Sequence, residues 1–186
     1  MTSQLTPPAA SKTLQGLHTP AFGISGWKNS GKTGLTVRLV TELTARGYRI
    51  STIKHAHHDF DIDKPGADSF RHREAGAEEV TIVSGTRFAI MHELRGAAEP
   101  TLEEILQRIS PCDLVLVEGY KQEAIPKIEL RRLASRSREP LAPSDPHIVA
   151  IAADHPVEDA RLPVFDLDDT AAIADFVIET IGVPRR

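Results

Sequence analysis

Apolar residues recur along this chain with two alternating periods. Residues 22–25 are a short apolar run that predicts a strand, followed by a loop bounded by Gly26 and Gly31. From 32 to 46 the period becomes helical: Leu35, Leu39 and Leu43 fall at i, i+4 and i+8, and Gly47 supplies a natural stop. Residues 48–54 predict a second strand, and 55–65 a long polar segment. A short helix is expected over 67–75, ended by Gly76. The β-prone runs 79–84 and 88–93 flank Gly85-Thr86-Arg87 and predict a hairpin. A helix over 102–109 follows, with Thr101 and Glu104 spaced as a capping box.

The run 114–117 is apolar at every position, the pattern of a strand covered on both faces of a parallel sheet. Residues 125–133 predict another strand. Its Pro126 and the polar stretch behind it suggest an edge position, or a start just outside the ladder. The proline-rich 134–146 reads as loop. Strands at 147–152 and 164–165 precede a final helix over 169–181, with Ile173, Val177 and Ile181 on one face. Strands alternating with helices give an α/β domain built on a mainly parallel sheet, helices on both faces and an inserted β-hairpin.

Composition narrows the class. The chain has 186 residues, 40% apolar and 26% charged, with a formal net charge of −4. That is one globular domain, expected over 21–186, with no basic excess to hold nucleic acid. Residues 1–20 are rich in Ser, Thr, Pro, Ala and Gln and are expected to be a disordered tail. No apolar run approaches the roughly 20 residues of a membrane span, and the N-terminus lacks a signal-peptide stretch. The single cysteine, Cys112, fits a reducing cytoplasm.

The loop carries the strongest chemical signal. Gly26, Gly31, Lys32 and Thr33 satisfy G-x-x-x-x-G-K-[ST], a pattern that chance supplies roughly 0.01 times in a chain this long. A triphosphate needs several donors converging from one side. The glycines let the loop fold back so that successive amides point inward, and the helix that follows adds unpaired N–H groups and the positive end of its dipole. Lys28, Asn29, Ser30 and Gly34 join these as candidate nucleotide-binding residues. Lys32 is expected at the β- and γ-phosphates and the Thr33 hydroxyl on Mg²⁺. The fold expected is therefore the three-layer P-loop NTPase arrangement.

Glu118 ends the apolar run at the sheet edge where ligands bind, and is the second candidate metal residue. Asp59, Asp61 and Asp63 alternate, so in extended backbone they share a face. Asp61 is a further candidate metal ligand, and Asp61 and Asp63 are candidates for orienting an attacking water. His55, His57 and His58 raise a transition-metal reading. The Asn-Lys-x-Asp guanine signature is absent; Asp154, after the strand 147–152, is the candidate acceptor for guanine. Arg131, Arg132, Arg136 and Arg138 would suit the lid of a small-metabolite kinase, but follow an edge-like strand and read as solvated.

Together, the loop 26–33, the segment Lys54-His55-Ala56-His57-His58-Asp59-Phe60-Asp61-Ile62-Asp63-Lys64-Pro65-Gly66-Ala67-Asp68-Ser69, Ala75-Gly76-Ala77, and Leu116-Val117-Glu118-Gly119-Tyr120-Lys121 resemble the molybdopterin-guanine dinucleotide biosynthesis adapter (MobB) family over about residues 21–180. The resemblance implies GTP and Mg²⁺ as ligands, weak intrinsic hydrolysis and a homodimer. It implies assistance to the guanylyltransferase that joins GMP to molybdopterin, with contact to molybdopterin or its guanine dinucleotide. It strengthens Asp61, Asp63 and Glu118 as metal or water-positioning residues and gives Lys121 weight as a neighbour of the bound anion. Ala67 departs from the basic residue the family often carries and brings no charge to an anion contact there. A P-loop metabolite kinase and a metal-inserting GTPase are the alternatives.

Overall fold

The computed structural model describes residues 19–56, 60–158 and 160–186. These gather into two compact units, one from 19–55 with 102–186 and one from 56–101. The larger unit is built on a six-stranded sheet of β1 (Ala21–Gly26), β2 (Ile50–Lys54), β5 (Leu114–Glu118), β6 (Lys127–Arg131), β7 (Ile148–Ala153) and β8 (Val164–Asp166). Its order is β2-β5-β1-β6-β7-β8, and every neighbouring pair is parallel.

Alternation along β5 sorts the core into two layers. Leu114 and Leu116 join Phe22, Ile24, Ile128 and Leu130 beneath α1 (Lys32–Ala45) and α4 (Thr170–Ile181). Val115 and Val117 face the other way, onto Leu102 and Leu106 of α3 (Leu102–Arg108). The sheet is thus covered on both faces, which is why β5 needs no polar side until Glu118. Each fully buried leucine contributes roughly 1.5–3 kcal/mol of transfer free energy, and Leu35, Leu39 and Leu43 are all fully buried on one stripe of α1. Arg38 ties α1 to α4 by donating to the Leu167 carbonyl and the Thr170 hydroxyl.

The end of α1 follows from Gly47. At φ 90° it takes the left-handed conformation that other residues resist, so its amide reaches Thr44 O and the Tyr48 amide reaches Leu43 O. Tyr48 therefore closes the helix, and β2 starts at Ile50 rather than 48. At the other end of the chain, the Asp169 side chain caps α4 by accepting from the Ala172 amide.

Two boundaries move for physical reasons. Thr19 is already buried and the Pro20 carbonyl accepts from the Val115 amide, so the sheet's approach begins at 19. The edge reading of β6 is overturned: it is an interior strand between β1 and β7. Pro126 lies just outside its ladder, where the missing N–H costs nothing, and its carbonyl accepts from the Gly23 amide.

An interior β6 carries two buried charges, and both are paired. Lys127 is 1% exposed; its ammonium donates to Asp145 Oδ2 at 2.9 Å and to the Glu123 carbonyl. Glu129, also 1% exposed, accepts from Arg131 and from the Leu141 and Ala142 amides. These contacts fasten the 132–146 segment to the sheet.

The smaller unit, taken by itself, holds α2 (Asp68–Glu74) and the antiparallel pair β3 (Glu79–Val83) and β4 (Phe88–His92). Arg73 is its electrostatic hub, meeting Glu93 at 2.8 Å, Asp61 at 3.1 Å and Asp63 at 3.4 Å. Val80 and Met91 face inward across the hairpin, while Val83, Phe88 and Ile90 lie on its exposed face.

Gly23 sits opposite Lys127, and a Cβ on it would fall 2.6 Å from Lys127 Cγ. Lys127 is anchored at its far end and cannot swing aside. Gly23→Ala is expected to destabilise the protein by about 1–3 kcal/mol, read as a lower urea midpoint at unchanged slope; an unchanged midpoint would show that the lysine stem yields.

Candidate functional site

The register of the parallel strands builds the site. Ile24 of β1 and Lys54 of β2 both lie level with Glu118 of β5, so three strand ends open beside the loop that leaves β1 at Gly26. That loop turns tightly: a Cβ on Gly26 would lie 2.4 Å from Ser30 Oγ and 2.9 Å from the Leu130 carbonyl. Asn29 at φ 68° and Gly31 at φ 90° complete the reversal, and α1 begins at Lys32. Asparagine tolerates that left-handed conformation better than most side chains.

The cradle has donors to spare. The Ser30 hydroxyl is buried and, among the described residues, has no hydrogen-bond partner. Lys32 Nζ donates to the loop's own Gly26 and Trp27 carbonyls, at 3.0 and 2.9 Å. Burial, above all, lowers the Lys32 pKa; Glu118 opposes this, while Lys121 and Lys54 add to it. A half-buried ammonium near other cations, hydrogen-bonded among the described residues to backbone carbonyls, is suited to an anion of several negative charges.

Thr33 and Glu118 meet. The Thr33 hydroxyl donates to Glu118 Oε1 at 2.9 Å, and Lys54 Nζ stands 3.8 Å from the same oxygen. Glu118 is 7% exposed and closes a strand otherwise wholly apolar. Gly119, at φ 100°, lets the His55 backbone pass: a Cβ there would lie 3.0 Å from the His55 carbonyl oxygen. A hydroxyl and a carboxylate oxygen side by side are hard donors of the kind Mg²⁺ takes, with phosphate and water completing its shell.

The remaining candidates are placed as follows. Lys28 is exposed, and its carbonyl accepts from the Arg136 amide. Gly34 lies in the first turn of α1. Lys121 stands over the Trp27 ring at 4.4 Å, and the Trp27 indole donates to the Glu139 carbonyl at 2.7 Å. Asp154 follows β7, where it accepts from the Leu133 amide and meets His155 Nδ1 at 2.8 Å and Arg132 Nε at 3.5 Å. The His155 contact, first among these, holds its carboxyl below the usual range.

Asp61 and Asp63 belong to the smaller unit and converge on Arg73. Asp61 also accepts from the Asp63 amide, the main cause of its lowered pKa, so this stretch turns rather than running extended. His57, His58 and Asp59 lie outside the described residues. Among the described residues, no group of three or more His, Cys, Asp and Glu side chains is arranged to hold a metal ion by itself.

The arginines from 131 onwards read as solvated in the sequence, and Arg132, Arg136 and Arg138 are exposed; Arg131, inside β6, is the exception. Arg131 pairs with the buried Glu129. Arg132 lies against Gly31, its Nη1 3.8 Å from a Cβ built there. The segment rests on the phosphate loop through Trp27 and Lys28. The signal that would have found this is Glu129 itself, a carboxylate alternating with Ile128 and Leu130 inside a strand.

Comparison with known proteins agrees with this architecture. The family profile described as "Molybdopterin guanine dinucleotide synthesis protein B" matches residues 21–154. The chain is 40% identical over 162 residues to the molybdopterin-guanine dinucleotide biosynthesis adapter protein of Escherichia coli K12, covering 86% of this chain and 92% of that one. It is 42% identical over 160 residues to the protein of the same name from Haemophilus influenzae, covering 85% and 87%. A crystal structure of a MobB protein homolog from Bacillus stearothermophilus superposes with a TM-score of 0.65 at 26% identity, covering 88% of this chain and 99% of that one. A second, of molybdopterin-guanine biosynthesis protein B, gives 0.66 at 25%, covering 86% and 98%. With a phosphate loop set in a fully parallel, two-sided sheet and relatives matched along nearly their whole length, this chain belongs to the MobB family.

Proposed function

We propose that this protein binds GTP and assists the guanylyltransferase that joins GMP to molybdopterin, as an accessory protein of molybdenum cofactor biosynthesis. The observation that carries the reading is the phosphate loop with its buried Ser30 hydroxyl, partnerless among the described residues, and its Thr33–Glu118 pair at 2.9 Å, in a chain of this family. Backbone amides from 26–33 and the Lys32 ammonium hold the phosphates. Thr33 and Glu118 hold Mg²⁺, which neutralises charge on the β- and γ-phosphates when bound.

The base lies at the ends of β7 and β8. A hollow of about 310 Å³ opens there, lined among others by Asp154, His155, Pro156, Phe165 and Asp166. Carboxylates accept only, which matches the N–H groups of guanine and not the ring acceptor of adenine.

Hydrolysis is slow on this reading. Asp61 and Asp63 are the carboxylates assigned to orient water, and Asp61 to the metal. Arg73 already pairs with both, and the lowered pKa of Asp61 makes it a weak base. The protein works as a homodimer in the cytoplasm, contacting molybdopterin or its guanine dinucleotide. No described helix is long and apolar enough to cross a membrane. The exposed Val83, Phe88 and Ile90 on one face of the hairpin supply an apolar surface for pairing with a second copy.

Titration calorimetry tests the ligand: GTP is expected to bind with Mg²⁺ and ATP markedly less well, and equal affinities would defeat the guanine assignment. Lys32→Ala removes a charge-assisted hydrogen bond worth about 1.5–3 kcal/mol and is expected to weaken GTP binding by about 10- to 150-fold; a change under about threefold would contradict its role. Glu118→Gln is expected to abolish the Mg²⁺-dependent part of the affinity, and identical Kd values with and without Mg²⁺ in both proteins would remove Glu118 from the metal site. By light scattering, wild type is expected at twice the chain mass and Phe88→Asp at the chain mass; a monomeric wild type would end the dimer assignment.

A further inference from the structure

Arg132 stands between the phosphate loop at Gly31 and Asp154 at the end of β7. The sheet order sets the route: β5 with Glu118 lies on one side of β1, and β6 and β7 lie on the other. Between the Thr33–Glu118 pair and the hollow at β7 and β8 in the sheet order stands β6, and Arg132, the first residue after it, lies beside the loop at Gly31.

Its guanidinium is already aimed. Nε stands 3.5 Å from Asp154 Oδ2, and Nη1 stands 3.8 Å from a Cβ built on Gly31, at the N-terminus of α1. Among the described residues neither Nη group makes a hydrogen bond. The backbone that carries it is held from both sides. The Arg132 carbonyl accepts from the Ser135 amide, the Arg136 amide donates to the Lys28 carbonyl, and the Leu141 and Ala142 amides are fixed on the buried Glu129. The frame fixes where the side chain starts, the Asp154 contact orients its Nε, and its planar fork matches two phosphate oxygens.

We propose that Arg132 is a phosphate-binding residue of the nucleotide site, its Nη groups donating to the α- and β-phosphates while Asp154 holds Nε. This rests on the GTP-binding reading above. Lys32 and the metal pair grip the distal phosphates from the β5 side; Arg132 grips the proximal ones from the β6 side. The contact serves diphosphate and triphosphate alike, because the γ-phosphate lies on the far side of the loop.

Calorimetry with GTP and GDP separates the possibilities, using wild type, Lys32→Ala, Arg132→Ala and Arg132→Lys. Arg132→Ala is expected to raise Kd by about 10- to 150-fold for both nucleotides, with the unfolding midpoint of the nucleotide-free protein unchanged. Arg132→Lys keeps the charge and the stem but loses the fork, and is expected to fall between wild type and Arg132→Ala. If wild type binds neither nucleotide, the GTP-binding reading fails and this inference with it. If wild type binds and Lys32→Ala loses affinity while the Arg132 variants stay within about threefold of wild type, only the role of Arg132 is overturned. A loss with GTP that is absent with GDP also overturns it, since the contact would then be to the γ-phosphate. Should Arg132→Ala unfold, wild-type affinity in Arg132→Lys is the overturning result.

Discussion

Ile24 of β1 stands level with Glu118 of β5 on one side and with Ile128 of β6 on the other. Parallel pairing in that register, with Lys54 of β2 also level with Glu118, brings the ends of β2 and β5 to one height beside the loop that follows β1, and the rest of the site depends on it. A slip of one residue would turn Glu118 away from Thr33 and exchange the residues that β5 gives to its two core layers. The register is secured by burial on both faces: Leu114 and Leu116 are committed to α1 and α4, Val115 and Val117 to α3. The catalytic-looking end of the sheet is therefore positioned by its apolar middle.

The charges at that end are sorted against the charge of the whole. The chain carries a formal net charge of −4, yet Lys32, Lys54 and Lys121 gather at the end of the sheet where the buried carboxylate Glu118 lies. Several negative groups elsewhere are paired, as Asp113 is with Arg49 and Arg186, and Asp61 and Asp63 with Arg73. Such local sorting draws a polyanion to one hollow without making the surface adhesive to nucleic acid in general.

Much of this was legible in the chain because the signals were local. The i, i+4, i+8 leucines of α1, the unbroken apolar run of β5 and the glycine-bounded loop each report on a few neighbouring residues, and each stands where its pattern put it. The edge reading of β6 failed because Pro126 and the polar stretch after it are equally compatible with an interior strand whose polar side chains are buried in pairs. Lys127 with Asp145, and Glu129 with the Leu141 and Ala142 amides, are contacts between distant positions that no periodicity encodes. The same limit applies to Arg132, which reads as one of several loop arginines until the fold lays it against Gly31. Asp61 and Asp63 show the converse: the alternation was visible, but their shared partner, Arg73, was not.

The chain has one tryptophan, and it sits inside the phosphate loop. The Trp27 ring lies under the Lys121 ammonium while its N–H is engaged by the Glu139 carbonyl. Indole emission responds to nearby charge and to the loss of a hydrogen bond, so any rearrangement of the cradle is written into the protein's intrinsic fluorescence. The molecule thereby carries its own optical gauge of the loop, free of background from a second indole.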